Sequence, residues 1–208
     1  ETLRSFDVPV LLLPGNHDPL SAASVYRSPE FLANRPEHVV VVDSGEPLLL
    51  ADGTVEVVGV PLESRDTVDD LVGRACTGLP LREPGSPVRV VVAHGVVDAL
   101  DPDRDAVGTI RLAEVEQALA AGLADYVALG DRHSTKAVGT TGRIWYAGTP
   151  LVTDYRDTDP NNVLLVEIAG AGAPPAVTPH RIGTWNFLRR DFDVNGPDEV
   201  EAVAAWLD

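Results

Sequence analysis

Val10-Leu11-Leu12-Leu13-Pro14-Gly15-Asn16-His17-Asp18 sets the fold class of this chain, because its pattern recurs twice. Val90-Val91-Val92-Ala93 runs into His94-Gly95, and Tyr126-Val127-Ala128-Leu129 runs into Gly130-Asp131-Arg132-His133. Each is a short, β-branched apolar run of the kind that forms a buried strand, followed at once by glycine and histidine. In open α/β sheets the carboxyl ends of the strands gather on one edge, and the loops there carry binding and catalytic groups. Three histidine-bearing loops on that edge make a metal site geometrically reasonable, and the glycine in each permits a tight backbone turn beside a ligand. A single histidine after a strand is more often a hydrogen-bonded surface or core residue. Three of the chain's five histidines share this pattern, with Asn16, Asp18 and Asp131 beside them, and that repetition weighs toward a site. His38 and His180 lack the pattern and read as structural.

Outward from these runs, further strand-like segments stand at 39–42, 55–60, 144–147 and 163–168. Between them lie helical patterns. Asp66 can cap one whose inward positions are Val68, Leu71, Val72 and Ala75; a second covers 111–121, with Leu112, Val115 and Leu119 inward and Gly122 as its stop. Strands alternating with helices predict α/β layers. From about residue 176 the character changes to strand-like pieces at 177–182 and 186–192. Pro197 then opens a helix with Val200, Val203, Ala204 and Leu207 on one face. Residues 1–175 therefore read as one domain and 176–208 as the start of a second, smaller unit.

At 208 residues and 44% hydrophobic, the chain can bury about 70% of its extended surface without disulfides or a structural metal. No apolar run approaches the roughly 20 residues of a membrane span. Its one cysteine, Cys76, excludes an internal disulfide framework and any Cys-rich metal module, and fits a reducing, cytoplasmic setting. The 32 acidic and 16 basic residues give a net charge of −16, a mean field that repels polyanions. That counts against a nucleic-acid coat protein. It does not count against an enzyme that holds phosphate through metal ions, where the cations set the local field. The sequence opens Glu1-Thr2-Leu3 and contains no methionine, so it is expected to be a piece of a longer protein.

Other candidate motifs are weaker. Asp101-Pro102-Asp103-Arg104-Asp105 imitates the start of a calcium loop, but Ala106 stands at the glycine position and Leu112 at that of the bidentate glutamate. Gly170-Ala171-Gly172 is followed by Pro174-Pro175 and reads as a connection between strands. Cys76 has no histidine or basic neighbour and reads as a small buried side chain. Arg132, between two polar candidates, has two open readings: contact with a substrate phosphate, or a pair with Asp131.

Gly15-Asn16-His17-Asp18, the His94-Gly95 segment, Gly130-Asp131-Arg132-His133 and the following Trp145-Tyr146-Ala147-Gly148-Thr149-Pro150 resemble, in order and spacing, the calcineurin-like metallophosphoesterases. Within that family the nearest resemblance is to the SbcD-type DNA-repair exonucleases, over almost the whole chain. The resemblance implies an α/β fold built as a four-layer αββα sandwich, here without its N-terminal part, followed by the start of a small capping domain. It implies two divalent metal ions, most readily Mn2+, with Asn16 and His94 on one ion and His133 on the other. His17 would be the catalytic imidazole at the departing oxygen, with Asp18 placed to orient it. The implied partners are DNA, an SbcC-like ATPase subunit and a second copy in a homodimer, with no membrane.

The chain departs from that pattern in two ways. Where the family's last motif reads Gly-His-x-His, Asp131 occupies the first histidine position; as a hard oxygen ligand it is expected to replace the imidazole. The family's opening Asp-x-His and Gly-Asp elements, which supply a bridging carboxylate, are not found before Asn16. These 208 residues are therefore expected to bind metal poorly and to be nearly inactive alone. Two further readings stand beside the exonuclease: a phosphodiesterase or phosphatase for small nucleotides, which the acidic surface suits, and a non-catalytic scaffold with a degenerate site.

Overall fold

In the computed structural model, which describes residues 2–64, 69–101 and 108–207, the apolar runs become strands and the amphipathic segments become helices. In chain order these are β1 (Val10–Leu12), α1 (Pro29–Asn34), β2 (Val39–Val41), β3 (Leu48–Leu50), β4 (Val55–Val60), α2 (Leu71–Thr77) and β5 (Val88–His94). After them come α3 (Leu112–Ala120), β6 (Tyr126–Gly130), β7 (Lys136–Val138), β8 (Ile144–Tyr146), β9 (Asn162–Glu167), β10 (Ala176–Arg181) and α4 (Pro197–Leu207). Asp66 and Val68, expected at the start of a helix, lie outside the described residues, as do Asp103 and Asp105 of the calcium-like stretch. Asp70 caps α2, its carboxylate accepting from Gly73 N at 2.7 Å.

The fold is mixed α/β around a six-stranded sheet of order β3-β4-β5-β6-β8-β7. Its centre is parallel, with β4, β5, β6 and β8 side by side, and an antiparallel strand closes each edge. Two separate pairs accompany it: β1 with β2, parallel, and β9 with β10, antiparallel. β1 was expected beside β5 and β6 on one sheet edge; three residues long, it pairs only with β2.

Helices α2 and α3 cover one face of the sheet. Val72 and Cys76 from α2, and Val115, Ala118 and Leu119 from α3, pack with Val91, Ala93, Val127, Leu129, Ile144 and Tyr146. Burial along β5 alternates with period two, placing Arg89, Val91 and Ala93 on this face. Cys76 is fully buried, and burial, followed by the Asp70 charge, pushes its thiol up to about 12, which fits a packing role.

At the strand ends opposite the histidines lies a buried charged network. Asp125 is wholly buried and accepts from both terminal nitrogens of Arg82, from Arg89 N at 2.8 Å and from Gly172 N at 2.7 Å. Arg89 in turn bonds Glu56 at 2.7 Å and the carbonyls of Pro80 and Leu123.

The boundary expected at residue 176 falls inside the β9–β10 pair, whose register runs from Ala176 opposite Glu167 to Arg181 opposite Asn162. The strand expected at 186–192 does not form; residues 182–196 carry no regular structure beyond a bend. α4 forms as expected, but none of its residues is buried, with Val200 and Leu207 exposed. No helix of the described residues is long and apolar enough to cross a membrane.

Candidate functional site

Parallel pairing brings two of the three histidine-bearing loops together directly. His94 at the end of β5 is the register partner of Gly130 at the end of β6, and Gly95 N donates to Gly130 O at 3.3 Å. The loop after β1 arrives from the separate pair and is laced to the segment after β4: Leu62 N donates to Pro14 O at 3.1 Å, and Leu20 N to Leu62 O at 2.8 Å. This seats Gly15 against His94. A Cβ at Gly15 would stand 2.7 Å from His94 Cε1, and one at Gly130 would stand 2.8 Å from its Nδ1. The imidazole thus lies in a slot that two missing side chains leave open.

Three side chains from the three loops meet there. His94 Nε2 lies 3.1 Å from Asn16 Oδ1 and 3.3 Å from Asp131 Oδ1, and Asn16 Nδ2 donates to the same Asp131 oxygen at 3.2 Å. The group is largely but not wholly buried, His94 being 18% and Asp131 19% exposed. Asp131 holds φ at +100°, a left-handed backbone rare for a residue with a Cβ and costing about 1–3 kcal/mol. A cavity of about 190 Å³ opens beside the three, with Asp69, Asp70 and Asp101 also on its wall. Among the described residues no three His, Cys, Asp or Glu side chains form a metal-holding group; the third member of this cluster is the Asn16 amide.

The other expected residues stand around this cluster without joining it. His133 is half exposed and makes no hydrogen bond to the three. Its Nδ1 meets Thr153 Oγ1 at 2.6 Å and faces Asp157 Oδ1 at 3.8 Å, leaving Nε2 open. His17 is exposed and has no hydrogen-bond partner among the described residues. The Asp18 carboxylate is taken up by Gly15 N at 2.9 Å and by the Tyr26 hydroxyl, so it fixes the loop around His17 and does not touch the ring. Burial, then the Asp18 hydrogen bond, raises the Tyr26 phenol above its ordinary range. Arg132 forms no ion pair with Asp131, and its Nε is buried without a hydrogen-bond partner among the described residues.

Sequence reasoning did not find the residues that brace these groups. Tyr146 is fully buried; its hydroxyl donates to Gly95 O at 2.7 Å and accepts from Val97 N at 3.1 Å, clamping the turn after His94. Strand alternation in 144–146 signals that one aromatic is buried, but nothing local signals the destination of its hydroxyl. Thr153 and Asp157 sit in an irregular segment with no pattern to mark them. His38 Nε2 bonds Leu3 O at 2.8 Å, and His180 lies exposed on β10.

No protein-family model matches the chain, and no curated protein matches it.

Proposed function

We propose that the Asn16–His94–Asp131 cluster is part of a two-metal phosphodiesterase site of the calcineurin-like kind, and that the chain acts on DNA as a repair exonuclease subunit. The observation that carries this reading is the convergence of three loops on one imidazole nitrogen: His94 Nε2 lies 3.1 Å from the Asn16 amide oxygen and 3.3 Å from an Asp131 carboxylate oxygen, to which the Asn16 amide nitrogen donates at 3.2 Å. Such a mixed nitrogen and oxygen set suits Mn2+ or Mg2+ better than a thiolate-seeking ion. The strained backbone at Asp131 supports it, since strain of this kind concentrates at functional sites. His133 has the arrangement typical of a metal-ligating histidine, one ring nitrogen held by the Thr153 hydroxyl, with the Asp157 carboxylate 3.8 Å away, and the other open. On this reading the six-stranded sheet is one sheet of the αββα sandwich and the β1–β2 pair belongs to the other.

Divalent ions held by these residues would supply polarisation of the phosphodiester and a lowered pKa for an attacking water. The chain's own residues do the rest. Asn16, His94 and Asp131 hold one side of the site and His133 the other; Arg132, between Asp131 and His133 in the sequence, offers its guanidinium to a phosphate oxygen. His17 delivers a proton to the departing oxygen, with Asp18 and Tyr26 holding its loop. The ATPase partner and the homodimer are carried by the family resemblance alone.

The −16 charge favours a second substrate class, small phosphodiesters, over long DNA. Turnover of single-stranded DNA and of bis(p-nitrophenyl) phosphate by the intact natural protein, with Mn2+ titrated in, separates the two. DNA cleavage lost in His17→Ala supports the nuclease. Hydrolysis of the small ester alone supports the second reading, and absence of both activities together with absence of Mn2+ binding leaves the scaffold.

A further inference from the structure

We infer that Thr153 and Asp157 are positioning residues that hold His133 in one tautomer, with the proton on Nδ1 and the lone pair on Nε2. That the lone pair receives a divalent cation rests on the phosphodiesterase reading above. The connection between β8 and β9 doubles back over the segment that carries His133. A Cβ at Gly148 would stand 2.8 Å from Thr135 N and 2.9 Å from His133 O, so the two backbones are packed against each other. Thr149 N donates to His133 O at 2.9 Å, Thr135 N to Asp159 O at 2.9 Å and Thr158 N to Ser134 Oγ at 2.9 Å. These bonds fix the connection on both sides of Thr153, and with it the place of Thr153 beside the imidazole.

Asp157 decides where the hydrogens lie. Its side chain is only 8% exposed, and its Oδ2 accepts from Asp154 N at 2.9 Å, from Thr153 N at 3.1 Å and from Thr153 Oγ1 at 3.1 Å. An ionised carboxylate can only accept, and a hydrogen bond to it is roughly twice as strong as one to a neutral imidazole, so the Thr153 hydroxyl proton goes to Asp157. Thr153 Oγ1 then has only lone pairs to offer His133 Nδ1, 2.6 Å away, and that contact requires a proton on Nδ1. The other Asp157 oxygen, 3.8 Å from Nδ1, favours a proton on the same nitrogen. Asp154 does not compete for the ring, since Arg156 Nε and Nη2 donate to its two oxygens at 3.0 and 2.7 Å. In a neutral imidazole one nitrogen donates and the other accepts, so Nε2 is left as the acceptor. It makes no hydrogen bond among the described residues, and the half-exposed ring leaves it reachable.

Long-range proton–nitrogen correlation NMR of the intact natural protein, labelled with 15N at histidine and held in EDTA, reads the tautomer at about pH 8, above the ordinary histidine range. His133→Gln assigns the signals. His133 is expected to show a protonated Nδ1 and a bare Nε2, a pattern kept in Thr153→Ser and moved toward protonated Nε2 in Thr153→Val. With EDTA removed, Mn2+ is expected to bind Thr153→Val about 10–100-fold more weakly than the natural protein, with recovery in Thr153→Ser. A protonated Nε2 or an even mixture in the natural protein overturns the inference, and that spectrum needs no variant to fold. A Thr153→Val variant that keeps the natural tautomer, or that binds Mn2+ as tightly as a natural protein that does bind it, overturns the role of Thr153. A tautomer governed by Thr153 with no Mn2+ binding in the natural protein upholds the positioning and overturns the metal reading of His133 alone.

Discussion

At the scale of single residues, the decisive feature is the space around one imidazole. His94 can approach Asn16 and Asp131 only because Gly15 and Gly130 have no side chains: a Cβ on either would sit under 3 Å from the ring. With a glycine on both sides the ring cannot retreat from one without meeting the other. Gly130→Ala is therefore expected to cost about 1–3 kcal/mol through overpacking. Urea denaturation reads the loss, and loss of the ring resonances' native positions in NMR locates it at His94. Unchanged stability would mean that the slot is looser than the distances indicate. Histidine and glycine were both conspicuous in the sequence as partners. That the glycine of one loop serves the histidine of another was not, because this contact spans 79 residues between Gly15 and His94.

At the scale of elements, Asp70 links two helices. One carboxylate oxygen caps α2 through Gly73 N at 2.7 Å, and the other accepts from Arg111 N at 2.6 Å, just before α3. The two helices that cover the core face are thereby held at their starts by one side chain. Asp70→Ala is expected to cost about 0.5–2 kcal/mol, the range of a lost helix cap, measured by thermal or urea unfolding. Most elements were legible from local pattern. The runs at 55–60, 88–93 and 126–129 became β4, β5 and β6 with at most one residue of change, because continuous β-branched sequence and parallel burial go together. The edge strands β3 and β7 escaped notice, being three residues each and marked only by the partner they pair with. The expected strand at 186–192 failed for the converse reason: its composition suits a strand, but no neighbouring edge accepts it among the described residues.

At the scale of the whole molecule, the buried Asp125–Arg82 pair ties the segments at 80–89, 122–125 and 172 into one body. Burial by itself would raise the Asp125 carboxyl; Arg82 and the amides of Arg89 and Gly172 outweigh it and hold the carboxyl below its ordinary value. A folded-state value below the unfolded one means stability present above about pH 4 and lost as pH falls through the folded value. Asp125→Ala is expected to cost about 3–5 kcal/mol at neutral pH by stranding Arg82, and to flatten the acid limb of the stability–pH curve. Denaturant midpoints from pH 7 to pH 2 check both effects, and an unaltered acid limb would assign that dependence to other carboxylates.

By itself the sequence determined the α/β alternation, the three polar loops at strand ends and the acidic field, because periodicity, turn residues and charge are local properties of the chain. Only the tertiary structure decided which loops meet. It took β1 out of the main sheet yet returned its loop to His94, kept His133 apart with Thr153 and Asp157, and left Arg132 without an ion pair to Asp131. Those outcomes depend on strand pairing and close packing between residues distant in sequence, and no local pattern carries that information.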